Sequence, residues 1–326
     1  MKIFLFGGYW MNAGPDNVNR DLINSSDKRL IYIKNRNKYL RLFEIVIEVF
    51  RCDIIVLSGI CSPRYYEILK RSGKKIVYLM HGDINYENEV NHQNTPLEII
   101  DLQNKIFQDA SIIACVSEGY SNWVKQRYPQ YSTKITFVNN GVTVKRRDKV
   151  SKEPFSVAVA GGNRPIKANK YVCDAAKLLA KKGIKCQVYV FGRHYESCEE
   201  LPKFDGIKYM GHLDQEEYYN RLDRISLFII NSDVESFGLT IADAINCNCS
   251  LLMSKNIGAR SILDTREEDI IEDNHNPEEI AKKIIELQKS PNVDRLYQAL
   301  DLDLISSKSS YNKLVNICER VENDSM

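Results

Sequence analysis

The chain has 326 residues, 44% apolar and 27% charged, with a formal net charge of only +2. That balance excludes a disordered or fibrous polypeptide and gives no reason to expect a nucleic-acid partner. No run approaches the roughly 18 apolar residues that cross a bilayer, and residues 1–8 lack the basic flank and long apolar stretch of a signal peptide, so a soluble, cytoplasmic protein is expected.

From the N-terminus, strand-like runs at 2–6, 53–58, 75–80, 111–117 and 134–138 alternate with amphipathic segments that include 37–51, 63–72 and 118–127. The stretch KNRNKYLRLFEIVIEVFR (34–51) carries five basic residues beside apolar ones. It reads first as a solvated face over a core face; the alternative is a peripheral membrane contact. VTVKRRDKVSKEP (142–154) is polar and ends in proline before a fresh strand, as a solvated linker does. The alternation then resumes, with strands at 155–161, 185–191, 206–209, 226–230 and 250–254 and helices that include 167–182, 214–222, 238–247 and 277–289. A last segment, 304–321, reads as a helix left over after a complete α/β unit.

Near-continuous apolar strands separated by helices argue for parallel sheets covered on both faces. Two such runs, in a chain longer than one core usually organises, predict an α/β protein of two Rossmann-like domains. The expected boundaries are 1–150, 151–304 and a terminal helix at 305–326. Charge divides unevenly: residues 1–150 hold 22 Lys and Arg against 15 Asp and Glu, residues 151–326 hold 23 against 28. The basic half is the one expected to meet an anionic surface. Nine cysteines form no CxxC pair and sit mostly among apolar neighbours, as buried reduced thiols do.

Ligands of open α/β sheets sit beyond the carboxyl ends of the strands. Three such ends stand out in the second half. GGNRPIKANK places Arg164 and Lys167 near a helix start; the strand ending at Gly192 is the second; NSDVESFGL precedes a helix. Ser236 can cap that helix, leaving the amides of Gly238 and Leu239 directed outward toward a phosphate. Arg164 and Lys167 would add charge-assisted bonds to the same diphosphate. Asp243 lies one turn after Leu239, placed to accept bonds from ribose hydroxyls, and Glu235 would reach the sugar beyond. DVE (233–235) and DLD (301–303) superficially resemble an Asp-x-Asp metal site, but no metal-ligand spacing accompanies them. No metal is expected.

Glu235 and Asp243, with seven residues between them around Phe-Gly-Leu, resemble the paired acids of retaining GT-B glycosyltransferases of family four. VFG (190–192), the run from Met210 to Gly238, ACVSEGY (114–120) and VNNGV (138–142) stand in that family's order, so the resemblance covers nearly the whole chain. It implies two Rossmann-like domains facing each other across a cleft, with the terminal helix crossing back to the first. It implies transfer, with retention, from a nucleotide-sugar, commonly UDP-linked, to a hydroxyl of a saccharide or lipid-linked saccharide in surface polysaccharide synthesis. Glu235 would bond the donor sugar, Phe237, Gly238 and Leu239 would line the phosphates, and Gly211, His212 and Leu213 would hold the base through backbone groups. His81, after a first-half strand, would lie near the donor sugar, and the loop of Gly7, Gly8 and Gly14 would close over the diphosphate. The side chains of His92, His194, His212 and His275 read as structural, and Asn140-Gly141 as a turn.

Four departures from the family pattern are visible. The second acid is Asp243 in place of glutamate, Ala168 replaces a glycine, Arg164 and Lys167 are closer together than is common, and Cys247-Asn248-Cys249-Ser250 stands where Cys-Gly-x-Pro is typical. A non-catalytic sugar- or nucleotide-binding subunit and a nucleotide-sugar epimerase on the same architecture are the competing readings. A Rossmann dehydrogenase fails for want of GxGxxG.

Overall fold

A computed structural model describes residues 1–11 and 14–323. The described chain divides into two compact units, Met1–Val142 with Asp303–Met326, and Thr143–Leu302.

The first unit is a six-stranded sheet. In chain order it runs β1 (Ile3–Phe6), α1 (Gly14–Ser25), β2 (Leu30–Tyr32), α2 (Lys38–Arg51), β3 (Ile54–Ser58), α3 (Pro63–Arg71), β4 (Lys75–Met80), α4 (Ile84–Asn91), α5 (Leu97–Asp109), β5 (Ile112–Cys115), α6 (Glu118–Arg127) and β6 (Ile135–Phe137). The strand order is β2-β1-β3-β4-β5-β6, every pair parallel. The sheet's central strands β1, β3 and β4 carry almost wholly buried Ile, Leu, Val and Phe side chains, as a sheet covered on both faces requires. β2 has only three residues, too few for a periodic pattern to reveal it.

The second unit contains β7 (Glu153–Ala160), α7 (Asn169–Lys181), β8 (Gln187–Phe191), β9 (Ile207–Gly211), α8 (Gln215–Leu222), β10 (Ile225–Ile230), α9 (Thr240–Asn246), β11 (Ser250–Ser254), β12 (Ile270–Ile271), α10 (Pro277–Lys289) and α11 (Val293–Gln298). Its order, β12-β11-β10-β7-β8-β9, is the doubly wound arrangement in which the first and fourth strands lie side by side. Helices α7 and α10 pack over β7, β8 and β10 through Val172, Ala176, Leu179, Ile280 and Ile284.

The final helix, α12 (Ser307–Asn323), belongs to the first unit. Tyr311 Oη donates to Asp27 Oδ1 at 2.7 Å, Lys75 Nζ to the Val321 carbonyl at 2.6 Å, and Arg29 pairs with Glu319 at 3.0 Å. Asn140-Gly141, expected as a simple turn, is instead the seat of this helix. A Cβ on Gly141 would lie 2.4 Å from Ser307 Cα, so any larger residue would push α12 away.

The division falls at Val142/Thr143, ahead of the expected 150/151, because the basic run after it is bound rather than solvated. Lys145 N donates to Asn246 Oδ1, Arg146 reaches Asn248 and Asp294, and Arg147 pairs with Asp223, all within the second unit. Counted over the observed units the charges are 21 Lys and Arg against 18 Asp and Glu in the first, 24 against 25 in the second. Much of the apparent basic excess of the first half thus moves to the second unit.

Helix α2 also departs from expectation. Asn37 caps it by accepting from Tyr39 N and Leu40 N, but only Ile45 and Val49 are buried. Tyr39, Leu40, Phe43 and Phe50 point into solvent.

Candidate functional site

In the second unit the topology reverses between β7 and β10, and the loops leaving those two strands hold the charged residues. After β7 the chain turns at Gly161 (φ +95°), where a Cβ would lie 2.8 Å from Lys167 Cγ. The missing side chain lets Lys167 lie across the turn. A short 3-10 turn, Pro165–Lys167, follows Arg164 and carries Lys167 back toward the β10 loop. Ala168 takes up φ +48°, the left-handed conformation in which the absent glycine would be unstrained.

Glu235 is held from its own backbone. Its N–H donates to the Asn256 carbonyl at 3.0 Å and its carbonyl accepts Gly258 N–H at 2.9 Å. From that fixed point its carboxylate forms an ion pair with Lys167 Nζ and accepts from Ser232 Oγ at 3.3 Å. Both partners of the ion pair are four-fifths buried. Burial pushes the Glu235 carboxyl up, but the Lys167 ammonium, with Arg164 further off, more than offsets it, and the group titrates below the usual carboxylate range. Arg164, Lys167 and Glu235 are therefore one electrostatic cluster.

The cluster is braced by residues that sequence reading did not connect to it. Asn231 Nδ2 donates to the Ala168 carbonyl at 2.9 Å and to the Asn274 carbonyl at 2.8 Å. Asp233 accepts from Asn274 Nδ2 and lies 2.7 Å from His275 Nε2, whose ring stacks on Tyr171. Its backbone N–H meets the Ile166 carbonyl at 2.9 Å. These bonds tie the β10 loop to the β7 loop, which fixes Lys167 opposite Glu235. Asp233 is thus engaged in bracing, and among the described residues no group of three His, Cys, Asp or Glu is arranged around a metal. A buried asparagine one residue past a strand end was the available signal.

The helix after Glu235 is shorter than expected. α9 begins at Thr240, Leu239 occupies its cap position without a side-chain cap bond, and Ser236 is not the cap. Gly238 adopts φ +96°, which lets the chain turn sharply into the helix. Phe237 is fully buried and its carbonyl accepts Ala259 N–H at 2.8 Å, so the residue belongs to the core. Asp243 lies in the first turn of α9 and accepts from Tyr219 Oη at 2.7 Å. Burial raises its carboxyl above the usual range, and the hydrogen bonds from Tyr219 and Tyr218 only partly oppose that.

Gly211 ends β9, His212 is exposed and Leu213 half-buried. Beside them is a recess lined by Gly192, His194, Leu201, Tyr209 and Gly211.

The first unit reverses between β1 and β3. Asp16 and Arg20 of α1 fold the loop after β1, the first accepting from Met11 N and the second donating to the Tyr9 and Met11 carbonyls, while neutral side chains link that loop to the ends of β3 and β4. Gly8 accepts from Asn19 Nδ2 at 2.7 Å, Ser58 Oγ donates to Asn19 Oδ1 at 2.6 Å, and His81 Nε2 lies 2.8 Å from Ser58 Oγ. The Ser58 proton is spent on Asn19, so His81 Nε2 must be the donor in the last bond, which leaves Nδ1 as an acceptor. Burial pushes the imidazole down to about 4, so it is neutral at physiological pH. Gly14 opens α1; residues 12 and 13 of the glycine segment lie outside the described residues.

Residues 143–300 match the family described as Glycosyl transferases group 1. No curated protein sequence matches this one. Among solved structures, Anabaena Alr3699/HepE in complex with UDP and glucose superposes with a TM-score of 0.70 at 13% identity, over 98% of this chain and 100% of that one. The lipopolysaccharide outer core galactosyltransferase WaaB, apo form, gives 0.63 at 15% identity over 97% and 98%. A mutant of S. aureus TarM, in complex with Fondaparinux, alpha-GlcNAc-glycerol and UDP, gives 0.63 at 14% over 87% of this chain and 59% of that one. At such identities the likeness establishes the fold, two Rossmann-like units of the GT-B kind.

Proposed function

We propose that this chain, whose residues 143–300 match the glycosyl transferases group 1 family, is a glycosyltransferase that moves a sugar, with retention, from a UDP-sugar to a hydroxyl of a saccharide or lipid-linked saccharide. Synthesis of a surface polysaccharide is the proposed setting. The observation that carries the proposal is the cluster of Arg164, Lys167 and Glu235 where the second sheet reverses. UDP is inferred from the complexes of the HepE relative.

In this reading Lys167 and Glu235 neutralise each other while no donor is bound. A diphosphate then competes for Lys167 and recruits Arg164, and the freed Glu235 carboxylate accepts bonds from the sugar hydroxyls. Sugar transfer needs the departing diphosphate's charge stabilised at the moment of bond cleavage. Once bonded to the bound diphosphate, Lys167 and Arg164 supply that without further reorganisation, and the proposal requires no metal. Asp243, shorter than the family's glutamate and already bonded to Tyr219, meets ribose either from the pair or through water. The recess beside Gly211 takes the base, with His212 and Leu213 contributing backbone, and Gly238 and Leu239 face the phosphates. Gly8 and Gly14 belong to the glycine segment that the family resemblance assigns to donor binding. His81, neutral with Nδ1 as acceptor, is suited to receive a sugar hydroxyl and unsuited to act as a general acid near neutral pH.

No described helix is long and apolar enough to cross a membrane. A cytoplasmic setting at a membrane's inner face is part of the proposal; nine unpaired cysteines, seven of them buried, support the reducing compartment. A thermal-shift panel of nucleotide-sugars, then incubation of the stabilising donor with and without saccharide acceptors, tests the reaction. UDP release that requires acceptor is expected. Donor conversion without acceptor would identify an epimerase, and stabilisation without any turnover a non-catalytic binding subunit.

A further inference from the structure

Helix α2 presents an apolar stripe that no part of the described chain covers. Tyr39 is 79% exposed, Phe43 67% and Phe50 82%, with Leu40, Val46 and Ile47 exposed beside them. At about 100° per residue these six side chains fall within one sector about 120° wide. Ile45 and Val49, on the other side, anchor the helix in the core. Monomeric soluble proteins rarely leave so continuous an apolar surface unpartnered.

The charges around the stripe identify its partner. Lys34, Arg36 and Lys38 are exposed at its start and Arg51 at its end. The two acids of the segment are turned to other work. Glu44 accepts from Lys34 N and Asn35 N at 2.9 Å, and Glu48, only 12% exposed, is bound by Arg51 at 3.0 Å. The rim is therefore cationic at the N-terminal end of the stripe, through Lys34, Arg36 and Lys38. Against its N-terminal end lies an aromatic cluster: Tyr9 and Trp10 rings are 4.8 Å apart, Tyr9 and Tyr32 5.4 Å, and Arg36 sits over Trp10 at 6.0 Å. Tyr and Trp are the side chains that favour a membrane–water boundary.

We propose that α2 docks this protein on an anionic phospholipid bilayer. The stripe lies at the acyl boundary, and Lys34, Arg36 and Lys38 extend to the lipid phosphates. The inference rests on exposure and charge within the first unit alone and stands whatever reaction the second unit performs.

Density flotation of the full chain tests it, with vesicles of phosphatidylcholine with or without phosphatidylglycerol and no sugar donor. The wild type should float with the phosphatidylglycerol vesicles, less with phosphatidylcholine alone, and less again as salt rises. F43S/F50S should lower the floating fraction about tenfold or more. Both positions are exposed, so circular dichroism of that variant should match the wild type. K34E/K38E should lose the preference for phosphatidylglycerol. A wild type that stays unbound, an F43S/F50S variant that floats as well as wild type, or a solution dimer that F43S/F50S dissociates in the absence of vesicle binding would each overturn the proposal.

Discussion

The two sheets reverse direction at equivalent places and arm them differently. In the second unit the reversal between β7 and β10 gathers Arg164, Lys167 and Glu235, a buried cation facing a carboxylate. In the first, the reversal between β1 and β3 gathers Gly8, Asn19, Ser58 and His81, a chain of neutral hydrogen bonds. A doubly wound sheet leaves a crevice at such a point whatever its sequence. The side chains decide what the crevice receives: a charged cluster suits a diphosphate and its departing charge, while a neutral relay suits hydroxyls that need orienting.

That contrast can be broken from either side. The largest effect is expected from Arg164→Ala with Lys167→Ala: loss of two charge-assisted bonds should cost about 3–6 kcal/mol of UDP-sugar binding, read by calorimetry; unchanged affinity would remove the cations from the site. Glu235→Ala should cost about 2–4 kcal/mol of transition-state stabilisation, roughly 30- to 1,000-fold in kcat/KM, with turnover near wild type as the contrary result. On the neutral side, Ser58→Ala should lower kcat about tenfold by freeing the His81 ring to flip, with nucleotide affinity unaltered.

His81 also gives a pH signature. Its folded value near 4 lies below the ordinary 6.5, so between those limits the unfolded chain binds the additional proton. Stability should fall on acidification from pH 6.5 toward 4, and His81→Gln should flatten that part of the curve in chemical denaturation. Ala168→Gly is the mildest change. It relieves a left-handed backbone at the cost of greater freedom in the unfolded chain, so stability should rise by no more than about 1 kcal/mol, with donor binding retained.

Much of this architecture is written locally. Alternation of apolar strands with amphipathic helices predicts two parallel sheets, and the loops after β7 and β10 are marked by glycine, lysine and glutamate. Residues with strong local signals were accordingly visible: Arg164, Lys167 and Glu235 do come together. Other features were hidden because their meaning depends on distant chain. Asn231, Asp233 and His275 are ordinary polar residues until the β10 loop is laid against the β7 loop. Basic residues 145–149 look like linker until Asp223, Asn246, Asn248 and Asp294 bind them.

Sequence alone determined the fold class, because strand and helix periodicities are set by neighbours two to four residues apart. Tertiary structure alone decided which way α2 faces, since the same amphipathic pattern is served by core or by solvent until the sheet buries Ile45 and Val49 and leaves Phe43 and Phe50 outside. It likewise decided the protonation of His81 and the pairing of Lys167 with Glu235. Burial and proximity create those properties, and neither exists in an extended chain.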